Sequence, residues 1–215
     1  MVILPTEKQK AAMGIYANAL QEIRGRLWLL NNLIGGDKGV NSHYTKEFCY
    51  LQLRMMCELI ALGCLVAHGD IKKTDTKAFR KEASATKLMK MLTDLNSDFY
   101  PVPITMQKIS PTQWDQKELK DGFLTKSDLG ALYGRCGDSL HRSNLKKYMT
   151  NDIIIRKDFP IIQAWAAKIT RLVDVHRIML HDKSGVIFCK LIDFDHPERV
   201  YVVWAGHTEG EATEN

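Results

Sequence analysis

The sequence lacks a long apolar run, closely paired cysteines and a strong excess of charge of one sign. Its longest apolar stretch, residues 59–67, is much shorter than a membrane span, and its first residues hold no basic segment followed by an apolar one. The five cysteines include no CxxC pair, which argues against a disulfide framework and against a zinc site. We therefore expect a cytoplasmic protein with no membrane contact, no metal and no cofactor.

The composition allows a folded domain and leaves the partner open. Hydrophobic residues make up 45% of the 215 residues, enough for a core in one domain or in one domain with a small appendage. The formal net charge of +5 permits an acidic partner such as RNA, because cationic side chains displace counterions from phosphates. This charge does not require such a partner.

Apolar periodicity predicts a helical bundle over most of the chain. A first helix is predicted from Thr6, the N-cap of a capping box closed by Gln9, to Gly35, with apolar residues every three or four positions. Residues 46–68 are apolar on nearly every side, which predicts the central helix of the bundle. Further helices are predicted within residues 70–96, from about 125 to 143, and from 158 to 176.

The period changes to that of β-strands near the C-terminus. Residues 186–192 and 200–205 are rich in β-branched and aromatic side chains around a turn-forming segment, which predicts an antiparallel hairpin. Residues 178–180 form either a third strand or the end of the preceding helix. Residues 99–104 are expected to be extended because of their prolines, and the stretch to about residue 122 is expected to be a loop.

Together these elements predict a mainly α-helical fold: a helical bundle with a small C-terminal antiparallel β-hairpin or three-stranded meander. We predict a bundle over residues 1–176, a β-rich extension over residues 177–208 packed on the bundle, and a disordered tail over residues 209–215. The sequence contains no internal repeat.

Three glycines distinguish one predicted helix from the others. Gly130, Gly134 and Gly137 recur at helical spacing, and each costs about 1 kcal/mol relative to alanine inside a helix. Close approach of another helix would offset that cost, because a ridge of glycines lets two backbones nearly touch. The second helix would come from this chain or from a second copy.

The same helix carries an arginine followed six residues later by a histidine, Arg135 and His141. This spacing resembles the motif of the HEPN superfamily, helical-bundle proteins marked by Arg, four to six residues, and then His. Many members are metal-independent ribonucleases in which the motif faces its copy across a dimer. The resemblance covers the motif and the helical character of about residues 6–176. It implies a homodimer that cleaves or binds RNA, as a toxin or defence component would.

The resemblance also implies a role for each motif residue. His141 would act as general acid and base, since an imidazole titrates near neutrality. Arg135 would stabilise the charge that develops on the phosphoryl oxygens when the ribose 2′-hydroxyl attacks. Asp138, which lies between them, is predicted to be a supporting residue.

Arg54 and Glu58 are polar exceptions on the apolar second helix and lie one turn apart. Two interpretations stay open for them. They would pair with each other, since an unpaired buried charge costs several kcal/mol. Alternatively, Glu58 would orient Arg135 from the neighbouring helix, as a supporting residue of the site.

Basic residues are concentrated in two segments, which makes them candidates for nucleic-acid binding. The alternative is a solvated helix face. The candidates are Lys72, Lys73, Lys77, Arg80 and Lys81 in the first segment, and Arg142, Lys146 and Lys147 in the second.

Other interpretations of the motif remain. A second pair, Arg171 and His176, lies five positions apart and also fits the motif. Arg135, Asp138 and Arg142 would also suit a structural charge ladder along one helix. In that case the chain would be a non-catalytic homodimeric interaction module, built on the glycine ridge and the apolar seam of the first helix. The helical character is also similar to that of uncharacterised bacterial proteins, from which no activity follows.

Overall fold

Six helices and five strands make up the part of the chain that the computed structural model describes, residues 4–35, 43–69, 74, 76–110, 113–140, 155–180, 185–192 and 199–206. The helices are α1 (Glu7–Gly35), α2 (His43–Ala67), α3 (Lys77–Lys81), α4 (Ala85–Leu95), α5 (Lys126–Leu140) and α6 (Ile155–Val173). The strands are β1 (Val102–Ser110), β2 (Gln113–Glu118), β3 (Val175–Met179), β4 (Gly185–Lys190) and β5 (Tyr201–Gly206).

Helix α1 begins where the capping pattern predicts. The backbone amide of Gln9 donates to Oγ1 of Thr6 at 3.3 Å, and the Thr6 amide donates to Oε1 of Gln9 at 2.9 Å. This reciprocal pair satisfies two amides that the start of a helix otherwise leaves unbonded. The apolar seam of α1 faces inward, and its buried members are Tyr16, Leu20, Ile23, Leu27 and Leu30.

A glycine allows α1 and α2 to pack closely. A Cβ atom on Gly63 of α2 would lie 2.8 Å from Cε2 of Tyr16 on α1, so a larger residue would displace the ring. The hydroxyl of Tyr16 in turn lies 2.7 Å from Nε2 of His176 on β3. Tyr16 therefore joins α1, α2 and β3 in one core.

Helix α2 is the central helix, as its apolar composition predicts. It contacts α1, α4, α5 and α6, and it buries Tyr50, Leu53 and Met56 completely. By length and composition alone, the segment Tyr44–Ala67 could cross a membrane, with a mean hydropathy of 1.5. Because 56% of its most apolar window is buried within the protein, α2 packs as a core helix does.

Helices α3 and α4 lie within residues 70–96, where one or two exposed basic helices are predicted. Helix α3 is N-capped by Thr76, whose Oγ1 accepts a hydrogen bond from the Phe79 amide at 3.4 Å. Helix α4 exposes Lys87 and Lys90. The opposite face of α4 packs into the core through Ala85, Leu88, Met89 and Leu92.

All five strands belong to one antiparallel sheet in the order β2-β1-β3-β4-β5. The predicted C-terminal hairpin is present as β4 and β5, and the third strand is present as β3. The sheet is nevertheless larger than the hairpin or three-stranded meander that we predicted, because β1 and β2 come from the middle of the chain. The fold is therefore mainly α-helical with a five-stranded sheet.

The loop predicted up to residue 122 is wrong, because β1 and β2 form a hairpin there. Only the inner end of β1 is buried, at Pro103 and Ile104, and residues 105–109 are exposed. Because the outer part of the hairpin packs against no core, its sequence lacks the apolar alternation from which strands are recognised.

Helices and sheet share one hydrophobic core. Leu172 of α6, Ile178 of β3 and Ile187 of β4 are all buried in it. The predicted division at residue 176 stays a prediction, and β3 spans that position. The predicted tail, residues 209–215, lies outside the described residues.

Candidate functional site

A second capping box fixes the start of α5, the helix that carries the Arg–His spacing. The amide of Asp128 donates to Oγ1 of Thr125 at 3.0 Å, and Lys168 of α6 donates to Oδ2 of Asp128 at 3.0 Å. Burial raises the pKa of Asp128, but hydrogen bonds from Lys168 and Thr125 outweigh it and hold the pKa below its ordinary value. The ionised carboxylate therefore anchors α5 to α6.

Arg135 lies near the end of α5, with its guanidinium fixed between α2 and α6. Its Nε donates to the hydroxyl oxygen of Tyr50 at 3.0 Å, and its Nη2 donates to Oδ1 of Asp158 at 3.3 Å. The Tyr50 hydroxyl donates to the same Oδ1 at 3.2 Å, and Nζ of Lys46 lies 2.9 Å from Oδ2. We call these four residues the Arg135 network.

The Arg135 network carries a net positive charge that solvent can reach. It contains two cations and one carboxylate, and the Arg135 side chain is 43% exposed whereas that of Asp158 is 16% exposed. Burial raises the pKa of Asp158, but Lys46, Tyr50 and Arg135 together lower it below its ordinary value. Asp158 is therefore ionised at neutral pH and holds both cations in place.

A second polar cluster lies beside the first. Nε of Arg54 donates to Oε1 of Glu58 at 3.2 Å, and Nη2 donates to the hydroxyl of Tyr133 at 2.8 Å. The guanidinium also stacks over the Tyr133 ring, 4.4 Å from its centroid. The predicted pairing of Arg54 with Glu58 is confirmed. Glu58 also accepts a hydrogen bond from Tyr133, while Asp158 is the carboxylate that contacts Arg135.

The two clusters share one ridge of α2. Lys46, Tyr50, Arg54 and Glu58 recur every four residues, so they follow one another along the same side of the helix. Tyr50 contacts Arg135 of α5, and Arg54 and Glu58 contact Tyr133 of α5. This ridge therefore aligns α5 on α2 through polar contacts as well as apolar ones.

Within the described part of the chain, no other helix packs closely on Gly130 and Gly134 of the α5 glycine ridge. A Cβ atom on Gly130 or Gly134 would meet no described atom within 4 Å, and one on Gly137 would meet only Nη1 of Arg54, at 3.7 Å. The predicted close approach of a helix from the same chain is therefore wrong for the described residues. A second copy remains as the predicted explanation.

Several predicted site residues lie outside the described residues: His141, Arg142, Lys146, Lys147, Lys72 and Lys73. Asp138 is exposed on α5, and Lys77 and Lys81 are exposed on α3. Arg80 belongs to α3 as well. The described basic residues of α3 do not belong to the Arg135 network, where the cation beside Arg135 is Lys46.

The second Arg–His spacing is divided between surface and core. Arg171 is exposed, whereas His176 is completely buried. Nδ1 of His176 lies 3.1 Å from the carbonyl oxygen of Val173, and its Nε2 lies 2.7 Å from the Tyr16 hydroxyl. Burial lowers the pKa of His176 to about 4. A neutral, buried histidine cannot exchange protons with a substrate, so His176 has a structural role.

No thiol near the site is suited to nucleophilic chemistry. All five cysteines are buried, as expected. Cys136, which follows Arg135 directly, faces the core, and burial raises the pKa of its thiol to about 12. Because the thiolate is the nucleophile, this side chain is inert at neutral pH.

Sequence reasoning did not identify Lys46, Tyr50 or Asp158 as site residues. Asp158 was assigned to the start of a helix and Tyr50 to an apolar helix, and both assignments are compatible with their further roles. The spacing of four residues between polar side chains of α2 was the available signal. Asp158 gave no comparable signal, because its contact with Arg135 joins positions 23 residues apart.

Comparisons with protein-family models, with curated proteins and with solved structures found no match to this chain.

Proposed function

We propose that the chain is a homodimeric, HEPN-like protein that binds and cleaves RNA through Arg135 and His141. One observation carries the proposal: the Arg135 guanidinium is fixed by Tyr50 and Asp158 and is still 43% exposed. Neither contact uses Nη1, so a phosphate oxygen can approach that nitrogen. A cation held in place in this way stabilises developing charge without the cost of reorienting.

The surrounding charge favours a phosphate. Lys46 and Arg135 together exceed the single negative charge of Asp158, so the network keeps a net charge of +1. Cationic groups at a half-exposed surface attract polyanions through counterion release. The described part of α5 extends to Leu140, and His141 is the next residue in the sequence.

The proposed reaction is transesterification of an RNA phosphodiester. The 2′-oxygen attacks phosphorus while the bond from phosphorus to the 5′-oxygen of the next nucleotide breaks. His141 of one copy accepts the proton of the 2′-hydroxyl, and the protonated His141 of the other copy donates to the leaving 5′-oxygen. Arg135 neutralises charge on the non-bridging oxygens. The products are a 2′,3′-cyclic phosphate and a 5′-hydroxyl.

The test is incubation of the purified protein with total RNA in EDTA, with analysis of the new ends. We expect the wild type to leave 2′,3′-cyclic phosphates. We expect His141→Ala and Arg135→Ala, each shown to be folded, to lose at least about 100-fold in rate, as removal of a general acid–base or a charge-stabilising group does.

The matched control is Arg171→Ala, since Arg171 belongs to the other Arg–His spacing and its partner histidine is buried. It should cleave at the wild-type rate. No cleavage by a correctly folded wild type would contradict the proposal. Equal cleavage by all variants would contradict the role of Arg135 and His141.

Expression in growing cells tests the toxin or defence assignment. If the protein is a toxin, the wild type should arrest growth and His141→Ala should not.

A second candidate function is a non-catalytic homodimeric interaction module. It is favoured by Gly130 and Gly134, where a Cβ atom would meet no described atom within 4 Å, so a second helix can approach the α5 backbone. In this case Gly134→Leu would convert a dimer to monomers in sedimentation analysis. A dimer that Gly134→Leu dissociates and that cleaves no RNA would favour the module over the nuclease.

A further inference from the structure

Strand β1 has one edge that β3 covers only at its inner end. The two strands pair through Val102 with Arg177 and Pro103 with His176. The residues that precede β3 belong to α6 and not to a strand, so β1 extends past its neighbour. Within the described part of the chain, no strand pairs with this side of residues 105–109, while β2 pairs along the other side. We call this side the open edge of β1.

The pairing with β2 identifies the backbone groups at the open edge. The Leu119 amide donates to the Pro103 carbonyl at 2.9 Å, so the backbone of residue 103 points toward β2. Backbone groups of an antiparallel strand alternate in direction. The N–H and C=O groups of Met106 and Lys108 therefore point toward the open edge. Such groups are complementary to another extended polypeptide.

A cavity adjoins the inner part of the open edge. Its volume is about 420 Å³, which lies in the range of ligand-binding clefts. It is lined by four apolar residues, by Thr105 and by two charged residues at and just after the end of α6. The apolar residues are Ile104, Met106, Leu119 and Val175, and the charged residues are Arg171 and Asp174.

Exposed apolar side chains lie on the same hairpin. Met106 is 41% exposed and Trp114 is 48% exposed. Lys108 and Trp114 are directly opposite each other in the register, and Nζ of Lys108 lies 5.8 Å from the Trp114 ring. An extended peptide bound along the open edge would therefore contact exposed apolar side chains of the hairpin as well as its backbone groups.

We propose that the open edge and its cavity bind an extended peptide segment of a partner protein by strand addition. An apolar side chain of the segment fills the cavity, and an acidic side chain lies near Lys108. This proposal is independent of RNA cleavage, because it uses no residue of the Arg135 network.

The charges along the open edge favour a peptide with a negative charge. Lys108 stands at the outer end, and Arg171 and Asp174 stand together at the inner end. The carboxylates of β2 are already in ion pairs, Asp115 with Lys117 and Glu118 with Arg177. Lys108, Arg171 and Asp174 together leave one positive charge for a partner to neutralise.

The length of the open edge argues against a second copy as its occupant. Five residues of strand span about 17 Å. Pairing of two such edges buries less than the roughly 1,200 Å² that stable dimers need. A peptide gains the additional burial of a side chain in the cavity.

The test is selection from a display library of random dodecapeptides on the full-length wild type. The test variant is Met106→Pro, which removes an amide that faces the open edge and keeps the hydrogen bonds to β2. Met106→Ala is the matched control, because it shortens the same side chain and keeps the amide. Circular dichroism establishes that both variants are folded.

We expect selected peptides with alternating apolar residues and at least one acidic residue. Met106→Pro should bind them at least about tenfold more weakly than Met106→Ala, which loses only the part of the side chain that lines the cavity. Failure to select any peptide that Met106→Pro weakens would overturn the proposal. Concentration-dependent dimers of the wild type that Met106→Pro dissociates would also overturn it, in favour of a second copy.

Discussion

Two polar networks of the molecule are each built on a tyrosine hydroxyl, in different surroundings. In the core, Tyr16 bonds to His176 at 2.7 Å, and the histidine is completely buried. At the surface, Tyr50 bonds to Arg135 at 3.0 Å, and the arginine is 43% exposed. In both, a tyrosine hydroxyl holds a nitrogen base or cation of another element.

The two networks differ in their access to water, and this difference decides which functions each can have. The core network is closed to substrate and stays uncharged at neutral pH, so it contributes to stability and to the alignment of α1 with β3. The surface network keeps a charged group in fixed orientation and in reach of a ligand, as a binding or catalytic site requires. If this comparison holds, changes in the core network should alter stability alone, and changes in the surface network should mainly alter activity.

The largest expected effect is the dependence of stability on pH. The carbonyl of Val173 can only accept, so Nδ1 of His176 carries the proton and Nε2 accepts from Tyr16. The folded pKa of about 4 lies below the ordinary value of 6.5. The unfolded chain therefore binds more protons between these values, and stability falls as pH is lowered from about 6.5 to 4.

The loss corresponds to on the order of 3 kcal/mol, from the difference between the two pKa values. Urea denaturation across this pH range measures it. His176→Asn should flatten the slope, whereas Arg135→Ala should retain it. Asp158 and Asp128 have lowered pKa values, so their contributions are lost only at still lower pH. An unchanged slope in His176→Asn would show that His176 is not the group responsible.

The next effect concerns the tyrosine of the core. Tyr16→Phe removes the hydroxyl that donates to His176 and leaves a buried ring nitrogen without its partner. We expect the free energy of unfolding to decrease by about 1–3 kcal/mol, as loss of a buried hydrogen bond does. The rate of RNA cleavage by the folded fraction should stay unchanged. A parallel loss of cleavage would show that the two networks are coupled.

The matched change at the surface is Tyr50→Phe. It removes the acceptor of Arg135 Nε and a donor to Asp158, so the guanidinium loses one of its two fixed contacts. We expect about a tenfold decrease in the rate of cleavage, equivalent to about 1.4 kcal/mol in the transition state. Chemical denaturation should detect less than about 1 kcal/mol, because the Arg135 guanidinium is 43% exposed and water can replace the lost acceptor. A larger loss of stability than of rate would assign Tyr50 to the fold alone.

The smallest expected effect tests the open face of α5. Gly134→Ala adds a methyl group where no described atom lies within 4 Å. In an isolated chain it should stabilise α5 by about 1 kcal/mol, since alanine favours helix over glycine. If a second copy packs on this face, the same change should weaken dimerisation instead. Thermal unfolding measured over a range of protein concentrations distinguishes the two outcomes.

Local signals predicted most of the helices and the C-terminal strands. Thr6 with Gln9 marked the start of α1, and the β-branched residues of β4 and β5 marked the hairpin. Apolar alternation did not predict β1 and β2, because their outer part is exposed on both faces. It also failed to place His176, which was assigned to the end of a helix and lies in β3.

The candidate site could be predicted only in part. Arg135 and the pairing of Arg54 with Glu58 were accessible from spacing along the chain. The roles of Tyr50 and Asp158 were not, because each contacts Arg135 from a different helix. The burial of His176 was likewise undetermined, since burial depends on residues distant in sequence.

The sequence by itself determined the helical bundle, its capping residues and the polar ridge of α2. These follow from interactions between residues within about four positions of one another, which local chain geometry controls. Only the tertiary structure decided that Arg135 is a half-exposed cation and His176 a buried neutral base. The pKa and accessibility of a side chain depend on the dielectric and the partners around it, and packing of distant segments supplies both.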